Sequence, residues 1–270
     1  MSHKICAVFD MIADHTCFLL KNARSLKHQM LEETITDLNV LIIKCHMPSN
    51  VITKTFTKKE EGKNGSDWEW WFTDSNKSFW FGVRVQAKIV KFNTDRFESL
   101  YYKNQTDDLI SSAASSSPKM YPLYCFYSDW SGGVSSGSSG ICHNCNRNIF
   151  SYGCSLMDAY DIKKLKSSSK KKDLNTIVGH SIPLACLVCC QGGGSSGDNL
   201  PQRVQKFLKT HAGFQSESYE EGVGLQEVPE VSNFAPKHVL DLLDPDLDDL
   251  DFILDEQLAG VMIFVEDQST

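Results

Sequence analysis

The chain has 270 residues, of which 41% are apolar and 23% charged, and a formal net charge of −7. That length holds one large domain or two small ones, and the charge argues against broad electrostatic attraction to nucleic acid. No apolar run is long enough to span a bilayer, and the first residues lack the basic, apolar and cleavage regions of an export signal, so a cytoplasmic location is expected. The charge is unevenly spread: residues 1–120 and 121–200 each carry a net +2, and residues 201–270 carry −11.

Taken in chain order, Leu31, Ile35, Leu38 and Ile42 recur at helical spacing and predict a helix over residues 25–46, ended by Pro48. Residues 51–56 alternate as a strand does, residues 58–65 form a polar turn, and a second strand starts near Ser66. A third strand is expected over 79–92, a helix over 105–114 closed by a serine run and Pro118, and an aromatic buried strand over 121–127. Residues 128–200 are loop-rich, with glycine- and serine-rich stretches at 131–140 and 191–197. Between them, residues 152–162 read as a turn into a short helix, and 184–190 as a buried strand. A helix follows over about 200–209. Leu243, Leu247, Leu250, Leu254 and Leu258 then mark an amphipathic helix with an acidic outer face, capped by Gly260 before a closing strand over 261–265. The chain thus divides into residues 1–127, 128–200 and 201–270.

The chemistry concentrates in two of these strands. Alternate side chains of a strand share a face, so Asp67 and Glu69 point one way, and Gln86 and Lys88 point together away from Val85, Ala87 and Ile89. A lysine on the inner part of a sheet needs a carboxylate partner or gives up its proton, and Asp67 and Glu69 are the nearest in sequence. A carboxylate that holds a divalent cation, beside a lysine that positions water and stabilises developing negative charge, is what phosphodiester hydrolysis requires.

With Asp67 on one strand and Gln86-Ala87-Lys88 on the next, residues 25–127 resemble the PD-(D/E)XK nuclease superfamily, in the variant of the Mrr-type restriction endonucleases. The chain departs from the usual pattern at Ser66, where a proline is common, and at Gln86, where many members carry an acid. The resemblance implies an α/β fold with a restriction-endonuclease-like core in the order α-β-β-β-α-β, a mixed central sheet flanked by helices, and here a C-terminal α/β elaboration. It implies a Mg²⁺- or Mn²⁺-dependent endonuclease of restriction or anti-phage defence, with DNA favoured over RNA, and a homodimer is the simple arrangement for cutting both strands. Asp67 and the backbone carbonyl of Ala87 would hold the metal, Lys88 would orient or help deprotonate water, Gln86 would orient water or support the metal, and Glu69 would assist. The superfamily also places an acid on the first core helix. Of Glu32, Glu33 and Asp37, Glu33 is favoured, because it and Asp37 lie one turn apart off the apolar stripe. The layout of most of the chain also resembles an uncharacterised, mostly bacterial family.

Ten cysteines in such a chain point to reduced thiols and not to a disulfide framework. Cys142 with Cys145 and Cys186 with Cys189 are two Cys-x-x-Cys pairs that could bind structural zinc, although the gap between the pairs is longer than in zinc ribbons. Lys163, Lys164, Lys166, Lys170, Lys171 and Lys172 offer either an arm for phosphate contacts or a solvated linker. The 191–197 loop lacks Walker and dinucleotide spacing, and the aspartates after Asp244 lack an EF-hand's glycine and terminal glutamate. Two other functions stay open beside the nuclease: an inactive nucleic-acid-binding module of the same fold, and a zinc- or thiol-centred interaction protein.

Overall fold

A computed structural model describes residues 4–55, 68–131, 148–190, 197–211, 227–244 and 258–267. It begins with helix α1 (Lys4–Ser25), whose buried positions Ile5, Val8, Phe9, Ile12, Ala13, Thr16, Cys17, Leu20 and Ala23 recur every three or four residues. The helix expected over 25–46 starts later, because Lys27 adopts a positive φ of 56°. The Lys27 N–H then returns to the Arg24 carbonyl, and the His28 N–H to the Ala23 carbonyl, which closes α1. Helix α2 (Glu32–His46) follows, after a loop in which the Gln29 amide bonds the main chain of Val90 and Phe92.

The remaining elements are β1 (Val51–Thr55), β2 (Trp68–Thr73), β3 (Trp80–Ile89), α3 (Gln105–Ser115), β4 (Tyr121–Tyr127), β5 (Cys154–Asp158), α4 (Ala159–Leu165), α5 (Leu174–Gly179), β6 (Ile182–Pro183), α6 (Cys186–Cys189), α7 (Leu200–His211), α8 (Lys237–Asp241) and β7 (Gly260–Val265). The chain is mixed α/β, and its elements from α2 to β4 come in the order α-β-β-β-α-β.

All seven strands join one mixed sheet in the order β1-β7-β2-β3-β4-β5-β6. The sequential pairings β2–β3, β4–β5 and β5–β6 are antiparallel, and β3–β4, with α3 as the crossover, is parallel. The C-terminal strand β7 inserts between β1 and β2, parallel to β2 and antiparallel to β1. The sheet therefore takes strands from all three stretches of sequence.

Both faces are covered. Trp68, Trp70, Phe72, Val83, Val85 and Ala87 pack with α1, α2 and α7 on one face. Trp71, Trp80, Val261 and Ile263 pack with α3 and α8 on the other. Two glycines make room for tryptophan rings on adjacent strands. A Cβ at Gly82 would lie 2.8 Å from the ring of its cross-strand partner Trp71, and one at Gly260 would lie 2.4 Å from Trp68.

Other expectations are corrected. Residues 186–189 form a helical turn where a strand is expected: the Cys190 N–H returns to the Cys186 carbonyl. A short apolar run fits a buried turn of helix as well as a buried strand. Residues 154–158 form strand β5 before α4, where only a turn into a helix is expected. The expected leucine-marked helix lies mostly outside the described residues. Among the described residues no helix is long and apolar enough to cross a membrane.

Candidate active site

The β2–β3 hairpin sets the geometry of the site. Its turn is tied by Asp74, whose carboxylate accepts from the main-chain N–H of Ser78 and of Phe79, each at 2.7 Å. The resulting register puts Thr73 opposite Trp80, Glu69 opposite Arg84, and Trp68 opposite Val85. Because paired residues share a face and side chains alternate, Glu69, Arg84, Gln86 and Lys88 form one polar row. Val85, Ala87 and Ile89 turn to the core under α1 and α2.

At one end of the row Glu69 is sealed in. Its side chain is 1% exposed. Arg84 donates to its Oε1 from Nε at 3.2 Å and from Nη2 at 2.9 Å. Trp71 donates to Oε2 at 3.1 Å, and His238 Nε2, from α8, lies 2.9 Å from the same oxygen. Burial pushes the Glu69 carboxyl up, but the His238 hydrogen bond, the Arg84 guanidinium and Trp71 outweigh it and hold it below the usual carboxylate range. With both oxygens engaged, Glu69 is a satisfied structural anion, whereas the sequence reading expects it to assist at the metal.

The other end differs. Gln86 and Lys88 are buried, and the Lys88 ammonium lies 3.7 Å from Glu32 Oε1. The other Glu32 oxygen accepts the Ile89 N–H at 3.2 Å. That bond marks an edge: among the described residues β2 begins at Trp68, opposite Val85, so the last turn of the β3 ladder on this side is bonded by a side chain of α2. Peptide groups two residues apart in a strand point the same way, so the Ala87 carbonyl faces this edge too, and the Gln86 amide donates to it at 3.3 Å. Thr36, one turn along α2 from Glu32, bonds the Tyr127 hydroxyl at 3.1 Å and fixes the start of the helix against β4. Burial, with Cys125, Cys154 and Glu32 nearby, pushes the Tyr127 hydroxyl well above its ordinary range, so it stays neutral.

The α2 carboxylate that faces Lys88 is thus Glu32. Glu33, favoured from the sequence, is exposed, as is Asp37. The two glutamates differ by one helical step of roughly 100°, and the face of α2 that buries Ile35, Asn39, Val40 and Ile43 carries Glu32 toward β3. Asp67 directly precedes Trp68 but lies outside the described residues. In the described part of the site the Glu32 carboxylate and the Ala87 carbonyl are hard donors of the kind that suits Mg²⁺ or Mn²⁺, and each already takes a hydrogen bond, from the Ile89 N–H and the Gln86 amide.

Arg84 and His238 are absent from the sequence expectations. Arg84 could be found by counting outward from the 74–79 turn, whereas nothing local marks His238, which reaches Glu69 across 169 residues. Of the expected zinc quartet only Cys186 and Cys189 lie among the described residues. Cys186 is buried and outside the bridge, and Cys189 is bridged to Cys6 of α1. That bridge also corrects the expectation of reduced thiols: the fold of α1 against α6 brings together two cysteines 183 residues apart. Part of the lysine cluster is engaged within the chain, with Lys163 2.6 Å from Asp107 and Lys164 3.0 Å from Asp161.

A model of a family described as a family of unknown function, DUF6615, matches residues 5–270. No curated protein matches the sequence.

Proposed function

The chain belongs to DUF6615, a family of unknown function, and we propose that its Lys88 site hydrolyses phosphodiester bonds of nucleic acid, DNA in the first instance, with Mg²⁺ or Mn²⁺. The observation that carries this reading is a buried lysine, two residues after a buried glutamine, whose ammonium lies 3.7 Å from a carboxylate of helix α2. This is the constellation expected of a PD-(D/E)XK site, read residue by residue onto Lys88, Gln86 and Glu32. Glu32, Asp67 and the Ala87 carbonyl would hold the metal. When bound, the ion supplies Lewis acidity, polarising the phosphate and making its water more acidic.

Lys88 stabilises the negative charge that develops on the phosphate oxygens and orients the attacking water. Its burial strengthens that effect, because the surrounding protein screens charge less than solvent does. Gln86 fixes the Ala87 peptide through its amide and brings no negative charge of its own. Glu69 lies outside this chemistry and anchors Arg84 and α8 through its four hydrogen bonds. The same neutrality of Gln86 favours a second reading, in which the site binds nucleic acid without cutting it.

The test is incubation of supercoiled plasmid, linear duplex, single-stranded DNA and RNA with the protein and Mg²⁺ or Mn²⁺. Wild-type protein is expected to cut, and chelation, Lys88→Ala and Asp67→Ala each to abolish cutting. Binding without cleavage on every substrate would reject hydrolysis and favour the inactive module.

A further inference from the structure

Cys6 and Asp10 stand one turn apart on α1, and Cys189 ends α6. Their two sulfurs and a carboxylate oxygen all lie within 4.8 Å of one another, and all three residues are half-buried. We propose that these residues form a second metal site, specific for zinc or a similar thiophilic divalent cation, that is open when the Cys6–Cys189 disulfide is reduced.

A bridge needs only the two cysteines, and their Cα separation of 5.4 Å is within the range a disulfide spans. It does not call for Asp10. With the bridge open, two thiols and a carboxylate would converge in a half-buried place, where the thiols give up their protons when a cation sits among the three. Two sulfur donors and one oxygen select a borderline-soft ion such as Zn²⁺ over Mg²⁺ or Ca²⁺. Zinc ligands about 2.0–2.3 Å from the ion stand roughly 3.3–3.8 Å apart in a tetrahedron. Donors already within 4.8 Å of one another therefore reach that spacing by small side-chain rotations. Three protein ligands leave the fourth position for water or another group. This site differs from the four-cysteine arrangement that the sequence invites: Cys6 and Asp10 take part, and the buried Cys186 does not.

The redox step balances with an external dithiol. Two electrons from dithiothreitol break the S–S bond, the reagent closes to its cyclic disulfide, and Cys6 and Cys189 become thiols. Each thiol then releases its proton to solvent as zinc binds, so uptake is linked to pH. The bridge and the ion are alternative fastenings of α1 to α6.

The experiment uses the full chain with dithiothreitol, dialysed against Zn²⁺ and assayed for bound metal, with Co²⁺ as a spectroscopic probe. The expected results are about one zinc per chain, a thiolate-to-cobalt charge-transfer band, and a melting temperature raised by on the order of 5–10 °C at zinc about a hundredfold above Kd. Cys6→Ser and Cys189→Ser should abolish the band, Asp10→Asn should weaken binding at least about tenfold, and Cys45→Ser, at an exposed free thiol, should change nothing. Circular dichroism checks that each variant is folded, and the wild-type cobalt spectrum decides the matter even where a variant is not. Reduced wild-type protein that takes up no zinc and shows no cobalt band would overturn the proposal. So would zinc kept by Cys6→Ser and lost by Cys142→Ser.

Discussion

The two ends of the polar row on β3 are built from the same kinds of residue and do opposite things. At the Glu69 end an anion is enclosed by Arg84, Trp71 and His238, at 2.9–3.2 Å. At the Lys88 end a buried lysine faces the Glu32 carboxylate at 3.7 Å, beyond hydrogen-bonding distance. A closed network spends its charge on holding the fold, and removing one member leaves the others buried without a partner. The longer ion pair at Lys88 is what the proposed chemistry would draw on when a phosphate is bound. Burial alone therefore does not set the two ends apart, whereas the lengths of these bonds do.

That contrast breaks most sharply at Glu69. Glu69→Ala leaves the Arg84 guanidinium, 13% exposed, without its carboxylate, and should cost about 3–5 kcal/mol of stability in urea denaturation. If the loss is below ~1 kcal/mol, the closed end is not structural. At the other end, Lys88→Ala should lower the rate of metal-dependent cleavage by about 10²–10³-fold, read as initial rates of plasmid nicking. Glu32→Gln should weaken Mn²⁺ binding by roughly tenfold to a hundredfold, measured by titration calorimetry.

The pH dependence sharpens the comparison further. The Glu69 carboxyl is held below its ordinary value of 4.5. The stability it contributes is then fully present above that value and is lost as pH falls through the lower, folded one. A denaturation midpoint that declines with pH below 4.5 is expected, with part of the slope missing in Glu69→Gln. The smallest effect is at Glu33, which is exposed: Glu33→Gln should leave stability within about 0.5 kcal/mol and cleavage unchanged.

Much of this was legible in the sequence where the signal is local. Residues 121–127 read as an aromatic buried strand after the serine run and Pro118 that close the preceding helix, and β4 spans those residues. Strand β3 lies inside its expected span, with Gln86 and Lys88 buried and turned from Val85 and Ala87. What escaped is non-local or depends on one residue. The insertion of β7 beside β2 leaves no mark on the periodicity of either strand, because alternation carries no information about neighbours. Glu32 displaced Glu33 because α2 buries Ile35, Asn39, Val40 and Ile43 and leaves Leu31 exposed, so its inner face is turned from the one that the spacing of Leu31, Ile35, Leu38 and Ile42 marks. His238 comes from a five-residue helix far along the chain, and only the tertiary fold brings it to Glu69.

The most direct test of the central claim is one preparation of Lys88→Met assayed for both melting temperature and metal-dependent DNA cleavage beside wild type. Methionine keeps most of the volume and removes the charge. A melting temperature equal to or above that of wild type, with cleavage reduced at least about a hundredfold, is the result expected if Lys88 is chemical and Glu69 structural. A lowered melting temperature with cleavage near the wild-type rate would contradict it and make Lys88 one more member of the closed network.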